Sequence, residues 1–279
     1  MGINSDWLGL FLDIARSEGI ASGDGMLDLG ASELFCTDDP QRLNEVLAAF
    51  DAPLYTSDEL ARMSNRGFAG ELFRRAGLRY AAIDYADFPG VIRLDLNSDP
   101  LPAEHHGRYR FISNAGTSEH ILNQHNVFKV MHDAGAPGSI FYHGVPGWGD
   151  YEHGILQYSP KFFWALAAAN DYELLRFWGW SDGNAVPPNA SMMRNIEFAS
   201  APISEKVWLH VLLRKRSGRP FAGLNDPAFR REWRSPANIL SRFQPKPVSM
   251  IRRTIRRVWR PALRAAQTVA DRLGILLHR

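Results

Sequence analysis

The sequence predicts a doubly wound α/β fold, a seven-stranded and mostly parallel sheet followed by a basic helical tail. Short apolar runs alternate with helical patterns from residue 26 to residue 213. Several of the runs are continuously apolar, as strands buried on both faces of a sheet require. The early runs end in Asp and Gly, at the carboxyl edge where an open α/β sheet keeps its ligand.

Taken in order, strands are expected at 26–29, 80–84, 91–94, 109–113, 139–142, 172–178 and 207–213, and helices at 41–50, 57–76, 119–133 and 160–170. Ser57 with Leu60 onward marks a capped helix start, and Gly77 and Gly135 stand where helix stops are expected. The stretch from 37 to 79 is long for a single crossover and accommodates two helices. Residues 181–205, rich in Gly, Pro, Asn and Met without periodicity, read as a long surface loop near the strand ends. The aromatic residues Phe162, Phe163, Trp164, Phe177, Trp178 and Trp180 read as core, and Met192 and Met193 as loop residues. Residues 217–247 carry five prolines and read as a linker with one short helix at 227–233. The expected organisation is an α/β domain at 1–215, a proline-containing linker at 216–245 and a helical tail at 246–279.

Composition narrows the classes. At 279 residues, 45% hydrophobic and 22% charged, the chain can bury one substantial core. Cys36 is the single cysteine, so no intrachain disulfide can form and a cytoplasmic setting is expected. The first 19 residues have no basic segment and are interrupted by Asp13 and Glu18, unlike a signal peptide. No apolar run reaches the roughly 18 residues of a membrane span. The net charge of +2 conceals an asymmetry: from Lys246 onward nine Lys or Arg face Asp271 alone, which leaves the first 245 residues net acidic. An acidic body is a poor tracker of phosphates, so no nucleic-acid partner is expected. In the tail, Ile251, Ile255, Val258, Ala262, Ala266, Val269 and Leu273 form an apolar stripe, with Arg253, Arg256, Arg257, Arg260 and Arg264 off it. Pro261 divides or kinks this basic amphipathic helix. Its chemistry suits an anionic membrane surface, at about 1 kcal/mol per basic residue, or a protein partner.

Five segments concentrate the chemistry. Met26-Leu27-Asp28-Leu29-Gly30-Ala31-Ser32 ends a strand in small residues that let a ligand approach the backbone, with helix amides expected beyond to meet a carboxylate. Ile83-Asp84 puts an acid at the next strand end, where it can accept ribose hydroxyls. Asp95-Leu96-Asn97 ends the third strand in an acid that can also initiate a turn. Gly116-Thr117-Ser118-Glu119-His120 follows the fourth, and Tyr151-Glu152-His153-Gly154 precedes the last helix.

In this order the segments resemble class I S-adenosylmethionine (SAM)-dependent methyltransferases, and within them a bacterial subgroup of methyltransferase-like proteins; the resemblance covers residues 25 to 180. It implies a Rossmann-like methyltransferase fold with SAM as cofactor. Asp28 and Gly30 would belong to the SAM loop, Asp84 would bind the ribose, Asp95 and Leu96 would hold the adenine, and Asn114 and Gly116 would line the methionine side. The usual Gly-x-Gly-x-Gly stands here as Gly30-Ala31-Ser32-Glu33-Leu34, with one glycine of three. After the fourth strand there is no Asn/Asp-Pro-Pro-aromatic motif, which argues against transfer to planar amino groups of nucleobases or glutamine; transfer to oxygen is the expectation. The acceptor would be a small molecule or a glycan precursor, and a non-catalytic binding or scaffold protein is the alternative. His120, His143 and His153 are the candidate bases, since imidazole titrates near neutrality. Glu119 with His120 gives a divalent ion two ligands, too few for a site, and no metal is expected.

Overall fold

The computed structural model describes residues 2–35, 39–63, 67–87, 90–181, 184–186 and 206–224. All seven expected strands are present, in a sheet ordered β5-β4-β2-β6-β7-β10-β8-β9. These are β2 (Gly25–Leu29), β4 (Arg79–Asp84), β5 (Val91–Arg93), β6 (Tyr109–Ala115), β7 (Gly135–Trp148), β8 (Tyr172–Ser181) and β10 (Val207–Lys215), extended at the far edge by the short β9 (Asn184–Val186). Strands β5, β4, β2, β6 and β7 run parallel, while β10 enters antiparallel between β7 and β8. The chain therefore leaves β2 toward one edge and returns through β6 toward the other. That reversal between β2 and β6 opens a crevice at their carboxyl ends.

Strand periodicity divides the core into two faces. Met26, Phe111, Ile140 and Leu212 turn to one side, where they meet α1 (Ser5–Glu18), α2 (Gln41–Ala49), α3 (Ser57–Met63) and α4 (Ala69–Arg75). Their neighbours Leu27, Ile112, Phe141 and Leu213 turn to the other, against α5 (Gln124–Ala134) and α6 (Pro160–Asn170). Successive side chains on a strand point oppositely, so one residue of offset decides which face a group joins.

Helix α1 is not among the expected elements. Asn4 caps it by accepting from the Trp7 amide, Asp6 complements its N-terminus, and Gly19 closes it at φ 65°. Leu8, Phe11, Leu12 and Ala15 give it a buried stripe. Just before it, β1 (Gly2–Asn4) pairs in parallel with β3 (Glu33–Phe35).

Three expectations change. The helix expected at 57–76 is two, because the Gly67 carbonyl accepts from Leu34 of β3 and the Ala69 amide donates to Ser32 just before it, instead of continuing a helical ladder. The helix expected from 119 begins at Gln124: Asn123 caps it, and Ser118–His120 form a separate 3₁₀ turn. No helix follows Gly30 directly, since the chain enters β3 and reaches α2 only at Gln41. At the other end, residues expected to begin the linker are fastened down. Asn170 exchanges hydrogen bonds with the Ala222 backbone, and His132 Nε2 meets the Arg219 carbonyl. The long loop apart from β9, the short helix at 227–233 and the basic tail lie outside the described residues. Among the described residues no helix is long and apolar enough to cross a membrane.

Candidate functional site

The predicted cofactor residues gather at the carboxyl edge, and hydrogen bonding shows how each is employed. Asp28 is fully buried; Ser32 Oγ and Tyr80 Oη donate to its Oδ2. Burial pushes its carboxyl up to about 7, against the opposing pull of its hydroxyl partners. Asp28 therefore holds the loop in place through Ser32. Gly30, at φ 87°, donates its amide to the Ile83 carbonyl. A helix N-terminus expected to receive a carboxylate is missing here, because β3 intervenes.

Asp84 is half-buried, and each of its oxygens accepts one backbone amide, Ala31 at 2.8 Å and Ala86 at 2.9 Å. Each oxygen keeps a second lone pair, so the carboxylate can still accept from a diol. Asp95 Oδ1 accepts the Asn97 amide and side chain in a turn, and Asn97 in turn fastens the backbone of Leu122 and Asn123. The Leu96 side chain is core, packed with Leu94 and Leu101, so only its backbone is available to a ligand. Asn114 is buried; it donates to Ser118 Oγ and accepts from the Thr117 and Ser118 amides, bracing the turn after β6. Gly116, at φ 84°, lies across the crevice from Gly30.

Gly116 also borders a cavity of about 370 Å³ on the α1 face of the sheet. Strand parity explains its lining: Tyr142 and Gly144 come from β7, Trp208 and His210 from β10, Trp178 from β8, and α1 covers it with Trp7 and Leu10. Tyr142 Oη and His210 Nδ1 are 2.8 Å apart, and Trp178 stacks on His210 at 5.2 Å between centroids. Burial pushes the His210 imidazole down to about 4. Gly144 makes room for this arrangement, since a Cβ there would stand 2.5 Å from Tyr142 Oη. Trp178, read as core from sequence, is a wall of the cavity. No sequence motif marks Tyr142, Trp208 or His210; the Asn-Ser-Asp cap and apolar stripe of α1 are the signals that point to Trp7.

The three histidines separate. His143 is one residue out of phase with Tyr142, so it points to the opposite face. There it is 1% exposed between Phe128 and Phe163, with Asn114 Nδ2 3.3 Å from its Nδ1. Burial holds its imidazole down to about 3. It does not line the cavity but packs in the core.

His120 and His153 converge on Glu119 instead. His153 Nε2 is 3.2 Å and His120 Nε2 3.8 Å from Glu119 Oε1. Glu119 is fully buried, and burial pushes its carboxyl upward against hydrogen bonding and the pull of His153. Its backbone carbonyl accepts the Ile155 and Leu156 amides, which pins the loop carrying His153 onto the Glu119 turn. Gly154 permits that approach: a Cβ there would lie 2.7 Å from Glu119 Cγ. His153 lines the cavity and packs edge-on to Trp208.

No family model and no curated protein matches this chain. Solved structures that it resembles include a putative methyltransferase from Bacillus halodurans, at 9% identity and TM-score 0.43 over 74% of this chain and 99% of that one. Another is an S-adenosylmethionine-dependent methyltransferase from Mesorhizobium loti, at 13% and 0.42 over 75% and 97%. A third is the 1,6-didemethyltoxoflavin-N1-methyltransferase of Burkholderia thailandensis with bound 1,6-didemethyltoxoflavin and S-adenosylhomocysteine, at 12% and 0.42 over 75% and 78%. Scores and identities this low transfer neither site nor reaction, and the fold of this chain rests on its own strand order and register.

Proposed function

We propose that the chain is a SAM-dependent methyltransferase acting on a hydroxyl oxygen of a small molecule or glycan precursor. One observation supports this above the others: the crevice between β2 and β6 meets an aromatic-lined cavity at Gly116, so a cofactor and an acceptor would be neighbours. SAM bound in the crevice would supply an electrophilic methyl group to an acceptor oxygen held in the cavity. The chain's own contributions follow from position. Asp84 orients the ribose through its remaining lone pairs, the glycines at 30 and 116 let the ligand approach the backbone, and Asp95 with the Leu96 backbone borders the adenine. Trp7, Trp178 and Trp208 hold a planar acceptor and exclude water. Activation of the acceptor hydroxyl falls to the Glu119–His120–His153 cluster at the cavity wall.

Calorimetry with SAM and S-adenosylhomocysteine tests the reading. Saturable binding is expected, with Asp84→Ala weakening it about tenfold or more, the equivalent of 1.4 kcal/mol. No heat at millimolar cofactor would overturn it in favour of a non-catalytic binding or scaffold protein. The tail at 246–279 we read as a cytoplasmic membrane-surface contact; its deletion should abolish association with anionic liposomes, and unchanged association would remove that role.

A further inference from the structure

We propose that Glu119, His120 and His153 bind one divalent transition-metal ion, with its open positions toward the cavity. One ligand atom from each residue can be chosen so that all three lie within 4.8 Å of one another. Sequence alone offers the first two residues; the loop that Gly154 allows to approach brings the third.

An independent feature points to a cation. Glu119 Oε2 is buried and has no hydrogen-bond partner among the described residues. A buried carboxylate oxygen left in this way is costly unless a charge compensates it, and the two imidazoles lie on the Oε1 side of the same group. An ion bridging carboxylate and imidazoles would use the whole carboxylate where a hydrogen bond from His153 uses half.

A second carboxylate stands near His153, within ion-pair range but beyond hydrogen-bonding distance. Asp150 Oδ2 stands 3.9 Å from His153 Nδ1, the ring nitrogen not turned to Glu119, and Lys206 holds Asp150 at 2.7 Å. Ligating imidazoles commonly present their second nitrogen to a carboxylate, which fixes the tautomer and raises ligand basicity. The donor set also narrows the ion. Two nitrogens and one carboxylate suit Mn²⁺, Fe²⁺, Co²⁺ or Zn²⁺, whereas Mg²⁺ and Ca²⁺ prefer oxygen throughout. Three protein ligands leave at least one position open. Because His153 lines the cavity and His120 is solvent-exposed, an acceptor oxygen or water can occupy it.

This inference concerns the chain's own side chains and does not require SAM. The full chain, stripped with a chelator and titrated with Co²⁺, should bind one ion and develop visible d–d bands. Glu119→Gln and His153→Ala should each weaken binding about tenfold or more, and Asp150→Asn should weaken it less. His120→Ala is the decisive variant, because that exposed side chain can be removed without disturbing the core; circular dichroism should be unchanged while affinity falls. Absence of d–d bands in the folded protein, or Co²⁺ affinity indifferent to both Glu119→Gln and His120→Ala, would overturn the proposal. SAM calorimetry on the stripped protein keeps the two readings separable, since loss of one signal leaves the other in place.

Discussion

The two halves of the carboxyl edge differ in what their polar groups are doing. On the β2–β4–β5 half, acids are tied within the protein: Asp28 through Oδ2 to Ser32 and Tyr80, with its buried Oδ1 left without a partner among the described residues, Asp84 to the Ala31 and Ala86 amides, Asp95 to Asn97. On the β6–β7–β10 half, Glu119 Oε2 is unspent and two histidines border a cavity. An acid at a strand end is first a fastener of its own loop, and only its leftover lone pairs are open to a ligand. Position at the edge and availability to a ligand are thus separate properties: each half keeps one buried carboxylate oxygen without a partner among the described residues, but only the second also sets histidines at a cavity.

The largest effect should come from the most deeply buried acid of the first half. Asp28 has its carboxyl raised from 3.8 to about 7 by burial, so between those values the folded chain holds a proton that the unfolded chain has released. The stability that depends on this proton is full below about pH 4 and is lost as pH rises toward 7, by up to roughly 4 kcal/mol. Asn at this position still accepts from Ser32 and Tyr80 but cannot ionise. Urea melts should therefore show Asp28→Asn gaining on the wild type from about pH 4 to about pH 8. A difference that stays flat would mean that Asp28 is ionised in the folded protein and that the first half is less committed than its bonds imply.

The second half is tested at its hinge. Gly154→Ala puts a methyl group 2.7 Å from Glu119 Cγ and 3.2 Å from Glu119 O, and neither atom is the free end of a side chain. The expected cost is about 1–3 kcal/mol in thermal or chemical denaturation, with Co²⁺ binding lost alongside it. Gly138→Ala is the control. At φ 94° with nothing within 4 Å, it should cost about 1 kcal/mol through backbone strain alone and leave metal binding unchanged. Equal effects of the two variants on metal binding would show that the loop at 154 does not assemble the cluster.

Much of the fold is legible in sequence because buried parallel strands announce themselves as apolar runs, and all seven appear in the sheet. Helix α1 was equally legible in principle, since Asn4, the apolar stripe and Gly19 are plain signals. The breaks within 57–76 and at 119–124 were harder to read. There, backbone groups of residues 67 to 69 and side chains such as Asn114 and Asn123 take hydrogen bonds that a helical pattern alone assigns to the helix. The site was legible in its position along the edge but not in its partners. Strand parity turns His143 away from the cavity and Tyr142 into it, and no motif records which face a strand presents. His153 reaches Glu119 across 34 residues of sequence only because residue 154 has no Cβ.

The smallest effect tests whether the committed half retains anything for a ligand. Asp95 spends Oδ1 on the Asn97 amide and side chain, which leaves Oδ2 without a hydrogen bond among the described residues. Asparagine keeps an oxygen for the turn, so Asp95→Asn should move stability by no more than about 0.5 kcal/mol. What it removes is the charge on the outward oxygen. A hydrogen bond to a carboxylate is roughly twice as strong as one between neutral groups, so if an adenine amino group donates there, SAM affinity should fall about tenfold. An unchanged affinity would make Asp95 a turn fastener alone, and would shift the burden of cofactor recognition in this half to Asp84.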